Sequence, residues 1–253
     1  MRASLFLLGF LMLGRVATAG AQQVPTKQAT KATMQTGPAL TVSHLTGNFY
    51  IYTTYVAGFP ANGMYLVTDK GVVVIDSPYD TTQFQPLLDT IQRRHHQPVV
   101  LCIATHFHED RTGALEFFRA HGVKTYTSRL TDEYSRQAGQ KRAEFLFDKD
   151  TSFTIGGYSF QTYFPGEGHT KDNIVLWFGR DRVLYGGCLV KSTEAVDMGN
   201  LRDANVSAYP ETIRRVQQRF PDAAYVIPGH QGWADTKALQ HSLDLLQREA
   251  SAK

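Results

Sequence analysis

Six side chains in this sequence have the types and settings of a metal centre. His106, His108 and Asp110 lie within Thr105-His106-Phe107-His108-Glu109-Asp110. Two imidazoles and a carboxylate so close together suit a borderline-soft metal such as zinc, which takes N, S and O donors. His169 stands in Gly166-Glu167-Gly168-His169-Thr170, Cys188 follows Gly186-Gly187, and His230 closes Pro228-Gly229-His230. The glycines beside these three let backbone pack closely around a buried centre. The competing chemistry is a Cys188 nucleophile with a histidine partner. The surplus of metal-ligand types, and the lack of a separate base and orienting residue, argue against it. Which donors would share one ion stays open on these residues alone.

Each donor follows a stretch that reads as a strand. Residues 48–54, 63–68 and 71–75 are short apolar runs, with Asp69-Lys70-Gly71 as a tight turn. Asp80 can cap a helix that places Phe84, Leu87, Leu88 and Ile91 on one face. Residues 98–105 (PVVLCIAT) form a continuous apolar run, fit for a strand buried on both faces, and lead directly into His106. A helix opening near Asp110 would carry Ala114, Leu115 and Phe118 inward. Strands at 151–155 and 158–164 flank Gly156-Gly157, a hairpin signal. Strands at 173–178, 182–185 and 225–227 follow, with helices near 207–220 and around Leu239, Leu243 and Leu246. Strands then helix, twice over, predict an α/β fold of four layers (αββα) in one domain, with the donors at strand-to-loop edges where ligand sites favour such folds.

The first 21 residues (MRASLFLLGFLMLGRVATAGA) have a basic start, an apolar run and small residues before Gln22, the pattern of a secretory signal peptide. The run is too short for a mature membrane span. Residues 22–38 read as a flexible tail and 39–253 as the folded domain. The reading places the protein in the periplasm, as a monomer without a membrane span. Net charge is +3 with Arg2 and Arg15 in the leader, so the remaining surface is nearly neutral and offers no nucleic-acid tract. An exported pair of cysteines invites a disulfide, but Cys188 sits among metal donors and Cys102 inside an apolar strand, where it reads as a small buried hydrophobe. His95 and His96 at a helix end read as surface residues; His44, His121 and His241 have no motif around them.

At these motifs the chain resembles the metallo-β-lactamases, class B, subclass 1, over residues from about 41 to 246. The resemblance implies two zinc ions: His106, His108 and His169 on one, and Asp110, Cys188 and His230 on the other. The wider superfamily commonly has a histidine after the aspartate and an aspartate in place of Cys188; here Arg111 and Cys188 stand there, which points away from glyoxalase-like and lactonase-like relatives. Gly113-Ala114 replaces the subclass's frequent Gly-Gly, a small departure.

The resemblance also implies a reaction. A zinc with three protein ligands keeps a position for water and lowers its pKa to about 7, so a zinc-bound hydroxide attacks the lactam carbonyl with no acyl-enzyme. Substrates would be penicillins, cephalosporins and carbapenems, and the outcome antibiotic resistance. Asp110 would steer the hydroxide or relay a proton, Lys191 bind the substrate carboxylate, and Asn200 approach the lactam carbonyl. Gly199-Asn200 is equally a turn signal. Val56 and Phe59, in the apolar segment Tyr55-Val56-Ala57-Gly58-Phe59-Pro60, would form a flap over the substrate, or else a plain hairpin. Asp76, at the end of the 71–75 strand, would brace the HxHxD loop from behind. Two rivals remain: a metallo-hydrolase of the same fold acting on a thioester, lactone or phosphodiester, and a non-catalytic periplasmic zinc-binding protein.

Overall fold

The apolar strands form because their side chains alternate between two buried faces. In β4 (Gly71–Ile75), Val73 and Ile75 enter one hydrophobic core while Val72 and Val74 enter another. In β10 (Val175–Phe178), Leu176 and Phe178 point inward and Val175 and Trp177 outward. A strand with no polar face must be covered on both sides, and that requirement builds the layers. The computed structural model describes residues 40–56, 58–148, 150–233 and 235–251; the expected leader and the expected tail lie outside them.

One sheet has seven strands in chain order: β1 (Leu40–Thr46), β2 (Phe49–Val56), β3 (Phe59–Thr68), β4, β5 (Val99–Ile103), β6 (Lys124–Ser128) and β7 (Phe145–Phe147). Strands β1 to β4 pair antiparallel, and β4 to β7 parallel. The other sheet has the order β12-β11-β10-β9-β8, from β8 (Ser152–Ile155), β9 (Tyr158–Tyr163), β10, β11 (Val183–Gly187) and β12 (Tyr225–Pro228). Between the sheets pack Phe49, Ile51, Met64 and Leu66 with Phe160, Leu176, Phe178 and Ile227. Outside the first sheet, Leu87 and Ile91 of α1 (Phe84–His95) and Leu115 and Phe118 of α3 (Leu115–Ala120) cover Val72, Val74 and Cys102. Outside the second, Ile213 and Val216 of α5 (Tyr209–Arg219) join Leu239, Leu245 and Leu246 of α6 (Ala238–Ser251) over Val175 and Leu184. This is the expected four-layer αββα arrangement.

Local departures have local causes. Asp80 caps a 3-10 turn (Thr81–Gln83) that leads into α1, rather than α1 itself. The helix expected from Asp110 is split into α2 (Glu109–Thr112) and α3, because Ala114 N–H donates to Ser77 Oγ at 3.0 Å. His95 is half-buried, not a surface residue: its Nε2 lies 2.9 Å from Tyr65 Oη and its ring packs on Tyr50. Strands β6 and β7 and the intervening α4 (Arg129–Ala138) add elements that the sequence reading did not contain.

Parallel pairing of β4 with β5 puts Asp76 and Thr105 at one sheet edge. Strands β9, β11 and β12 likewise run in one direction, so the loops bearing His169, Cys188 and His230 share an edge.

Candidate metal centre

The six donors expected to bind metal come together. The rings of His106, His108 and His169 stand 4.9, 5.0 and 5.1 Å apart, centre to centre, and nearly perpendicular to one another. Donor atoms of Asp110, Cys188 and His230 lie within 4.8 Å of one another, and the same spacing links His106 to His108 and Asp110, and to His169 and Cys188. The two groups therefore adjoin.

Three of the four imidazoles, those of His106, His108 and His230, have a nitrogen engaged in a way that frees the other, whereas the buried Nδ1 of His169 has no hydrogen-bond partner among the described residues. His230 Nδ1 donates to Pro60 O at 2.9 Å, leaving Nε2 beside Cys188 Sγ at 3.2 Å and Asp110 Oδ2 at 3.3 Å. His108 Nε2 donates to Asp203 Oδ2 at 3.0 Å, leaving Nδ1. His106 Nδ1 faces Thr105 Oγ1 at 3.3 Å, and its buried Nε2 has no hydrogen-bond partner among the described residues. Such outer partners fix tautomer and ring orientation in metal-binding histidines. Burial, then neighbouring charges, holds His106 and His169 well below the ordinary histidine range, so both keep their lone pairs at neutral pH. Imidazole nitrogens, a sulfur and a carboxylate converging at one site fit a metal ion.

Asp76 lies where expected and acts through Thr105. It accepts from Thr105 N–H at 2.7 Å and Thr105 Oγ1 at 3.0 Å, and holds the loop at the head of the HxHxD segment. Its backbone is left-handed at φ 63, a conformation an L-residue adopts only at a cost of about 1 kcal/mol or more. Burial pushes its carboxyl up to about 6 against the pull of Arg111 and the hydrogen bonds from Thr105 and Tyr185.

Arg111 is the residue whose part the sequence did not reveal. It is 1% exposed and lies under the second donor group. Nη2 donates to Asp110 Oδ2 (3.0 Å), Cys188 Sγ (3.0 Å) and Gly229 O (2.9 Å), and Nη1 to Asn62 O (2.7 Å). Burial opposes ionisation of Asp110, yet Arg111, His230 and His106 hold its carboxyl well below the usual range. Burial would also depress His230, but Cys188 and Asp110 push it up to about 9. Gly229 allows this crowding: a Cβ there would lie 2.6 Å from Cys188 N and 2.8 Å from Sγ.

A cavity of about 220 Å³ opens on these donors, lined by His169 and His230 with Phe59, Lys191, Val196 and Asn200. Burial lowers the Lys191 ammonium below its ordinary range. Asn200 is exposed, and its Oδ1 accepts from Arg202 N–H at 3.0 Å, which is the turn its sequence allowed. Phe59 is 54% exposed, with its ring 5.0 Å from that of His230. The side chain of Val56 lies outside the described residues. Cys102 is buried and, like Cys188, free. Asp203 was missed in the sequence because it sits in an irregular loop far from its partner His108.

A family model described as the Metallo-beta-lactamase superfamily matches residues 56–230. Metallo-beta-lactamase type 2 of Elizabethkingia meningoseptica is 44% identical over 216 residues, 84% of this chain and 87% of that protein. Metallo-beta-lactamase IND-1 of Chryseobacterium indologenes is 44% identical over 206 residues, 80% of this chain and 86% of that one. The solved metallo-beta-lactamase from Pontibacter korlensis superposes with a TM-score of 0.79 at 38% identity, covering 82% of this chain and 99% of that one. With two layered sheets, a shared donor edge and these relatives agreeing, the chain belongs to the metallo-β-lactamase superfamily and is a metal-dependent hydrolase.

Proposed function

We propose that this protein hydrolyses the amide bond of β-lactam rings with two zinc ions, and so confers resistance to penicillins, cephalosporins and carbapenems. The observation that carries the reading is the meeting of the three-imidazole group and the Asp110–Cys188–His230 group at one cavity that also receives Lys191. The relatives' names support the substrate class. His106, His108 and His169 would hold one ion, and Asp110, Cys188 and His230 the other. When bound, the pair supplies an activated water and a Lewis acid for the carbonyl.

The chain's own residues do the rest. Lys191 receives the substrate carboxylate, and partial burial strengthens that attraction by excluding water. Phe59 covers the apolar part of the ligand. Asn200 has its amide oxygen occupied by Arg202, which leaves Nδ2 as the donor for the lactam carbonyl. Asp110, kept ionised by Arg111, accepts a hydrogen bond from the attacking water. Residues 1–21 support export to the periplasm, where such substrates arrive.

A chromogenic cephalosporin tests the proposal. Turnover lost on chelation and restored by zinc is the expected result. Absence of turnover in zinc-replete protein overturns it, and turnover of a thioester, lactone or phosphodiester instead would select the rival hydrolase.

A further inference from the structure

The segment between Cys188 and Asn205 has no helix or strand after β11, yet it bears Cys188, Lys191 and Asn200. Its ties run mostly to one side. Lys191 N–H donates to Ser242 Oγ at 2.8 Å, His241 Nε2 donates to Ala195 O at 2.8 Å, and Asn205 N–H donates to Gly168 O at 2.9 Å. These anchor it to α6 and to the His169 loop. The opposite bank of the cavity is the His230 loop, with Phe59 against it.

Glu194 crosses that gap. Its Oε2 accepts from Gly232 N–H at 2.9 Å. Glu194 lies three residues after Lys191, and Gly232 two residues after His230. The bond thus joins the bank with the substrate lysine to the bank with the metal-binding histidine, next to the lining residues Val196 and Gln231. Gly232 leaves room for that carboxylate, and a side chain there would make the flexible end of Glu194 shift. A Cβ on residue 232 would collide with Glu194 Oε1 and lie 2.6 Å from Cδ.

We propose that Glu194 is a positioning residue: the Glu194–Gly232 bridge sets the width of the cleft between Lys191 and His230. It therefore governs substrate binding rather than bond breaking. This inference rests on the β-lactamase reading for its substrate and on the bridge alone for its mechanics.

The test compares metal-loaded Glu194→Ala, Glu194→Gln, Gly232→Ala and the Glu194→Ala/Gly232→Ala double variant with wild type. Glu194→Ala and Gly232→Ala should each raise KM for a penicillin and a cephalosporin by about three- to tenfold, with kcat within about twofold and metal content unchanged. Glutamine keeps the acceptor and should restore KM. The double variant should be no worse than Gly232→Ala, because the carboxylate that blocks the Cβ is gone. Amide exchange over residues 189–200 should quicken by about three- to tenfold in Glu194→Ala and not in Glu194→Gln. Unchanged KM, an equal fall in kcat or metal content, or additive losses would overturn the bridge. Wild-type protein without turnover would sink the hydrolase reading instead; exchange would then judge the bridge, and an unchanged rate would refute it.

Discussion

Replacing Arg111 by methionine removes a buried cation while keeping most of its volume. Two backbone carbonyls lose a donor, but each keeps another: Asn62 O still accepts from Tyr185 Oη at 2.9 Å, and Gly229 O from Asn62 N–H at 2.8 Å. The cost is therefore mainly electrostatic. Asp110 at 3.0 Å and Asp76 at 3.5 Å lose their common counter-charge. Breaking a buried pair in this way costs about 3–5 kcal/mol. A metal ion held by Asp110, Cys188 and His230 supplies positive charge to the same carboxylate, so in metal-replete protein the loss should fall below about 2 kcal/mol. Urea unfolding at pH 7 measures both states. With a slope near 2–3 kcal/mol/M for a domain of this size, the midpoint of chelated Arg111→Met should drop by about 1–2 M, and far less with metal. A drop under about 0.3 M in chelated protein, or equal drops with and without metal, would refute the reasoning.

Cys188→Ala should reduce bound zinc from two ions to one per chain and lower kcat/KM by about 100-fold or more, read by elemental analysis and cephalosporin hydrolysis; two retained ions would remove Cys188 from the ligand set. Lys191→Glu should raise KM by about 10- to 30-fold with little change in kcat, since attraction of a carboxylate becomes repulsion at the same place; steady-state kinetics showing an unchanged KM would exclude it from the binding site. His230, pushed up to about 9, must lose its proton before Nε2 can hold metal. This group alone should make metal affinity climb about tenfold per pH unit until that value, and a chelator competition series across the range should show it. The same shift has a stability sign: with a folded value above the unfolded one, the stabilisation of chelated protein is full below about 6.5 and disappears as pH rises through 9. A flat stability profile over that window would contradict the assigned contacts.

What could be read in the sequence, and what could not, divides along one physical line. A residue one or two positions beyond a strand inherits its place from the hydrogen-bond ladder behind it. Cys188 directly follows β11 and His230 lies just past β12, so strand patterning plus glycine was enough to bring them together. The pattern failed where packing, not periodicity, decides. Strand β6 (KTYTS) alternates weakly, β7 is three residues long, and α4 is largely polar, although Ser128 and Gly139 cap it at either end. The split between α2 and α3 depends on Ser77, remote in sequence.

The partners that orient the donors belong to the same class. Asp203 reaches His108 across 95 positions, Pro60 reaches His230 across 170, and Arg111 gathers groups from Asn62 to His230. No local spacing encodes such contacts, because a loop can supply the required oxygen from wherever its ends allow. In the sequence, Arg111 was legible only as the absence of a histidine directly after Asp110. In the fold it is the cation that lets a carboxylate, a sulfur and an imidazole crowd together. The donors are thus a property of strand ends, and their electrostatics a property of loops meeting. A substitution at a donor should change metal content, whereas one at Arg111 or Asp203 should change how tightly or how accurately the same donors are held.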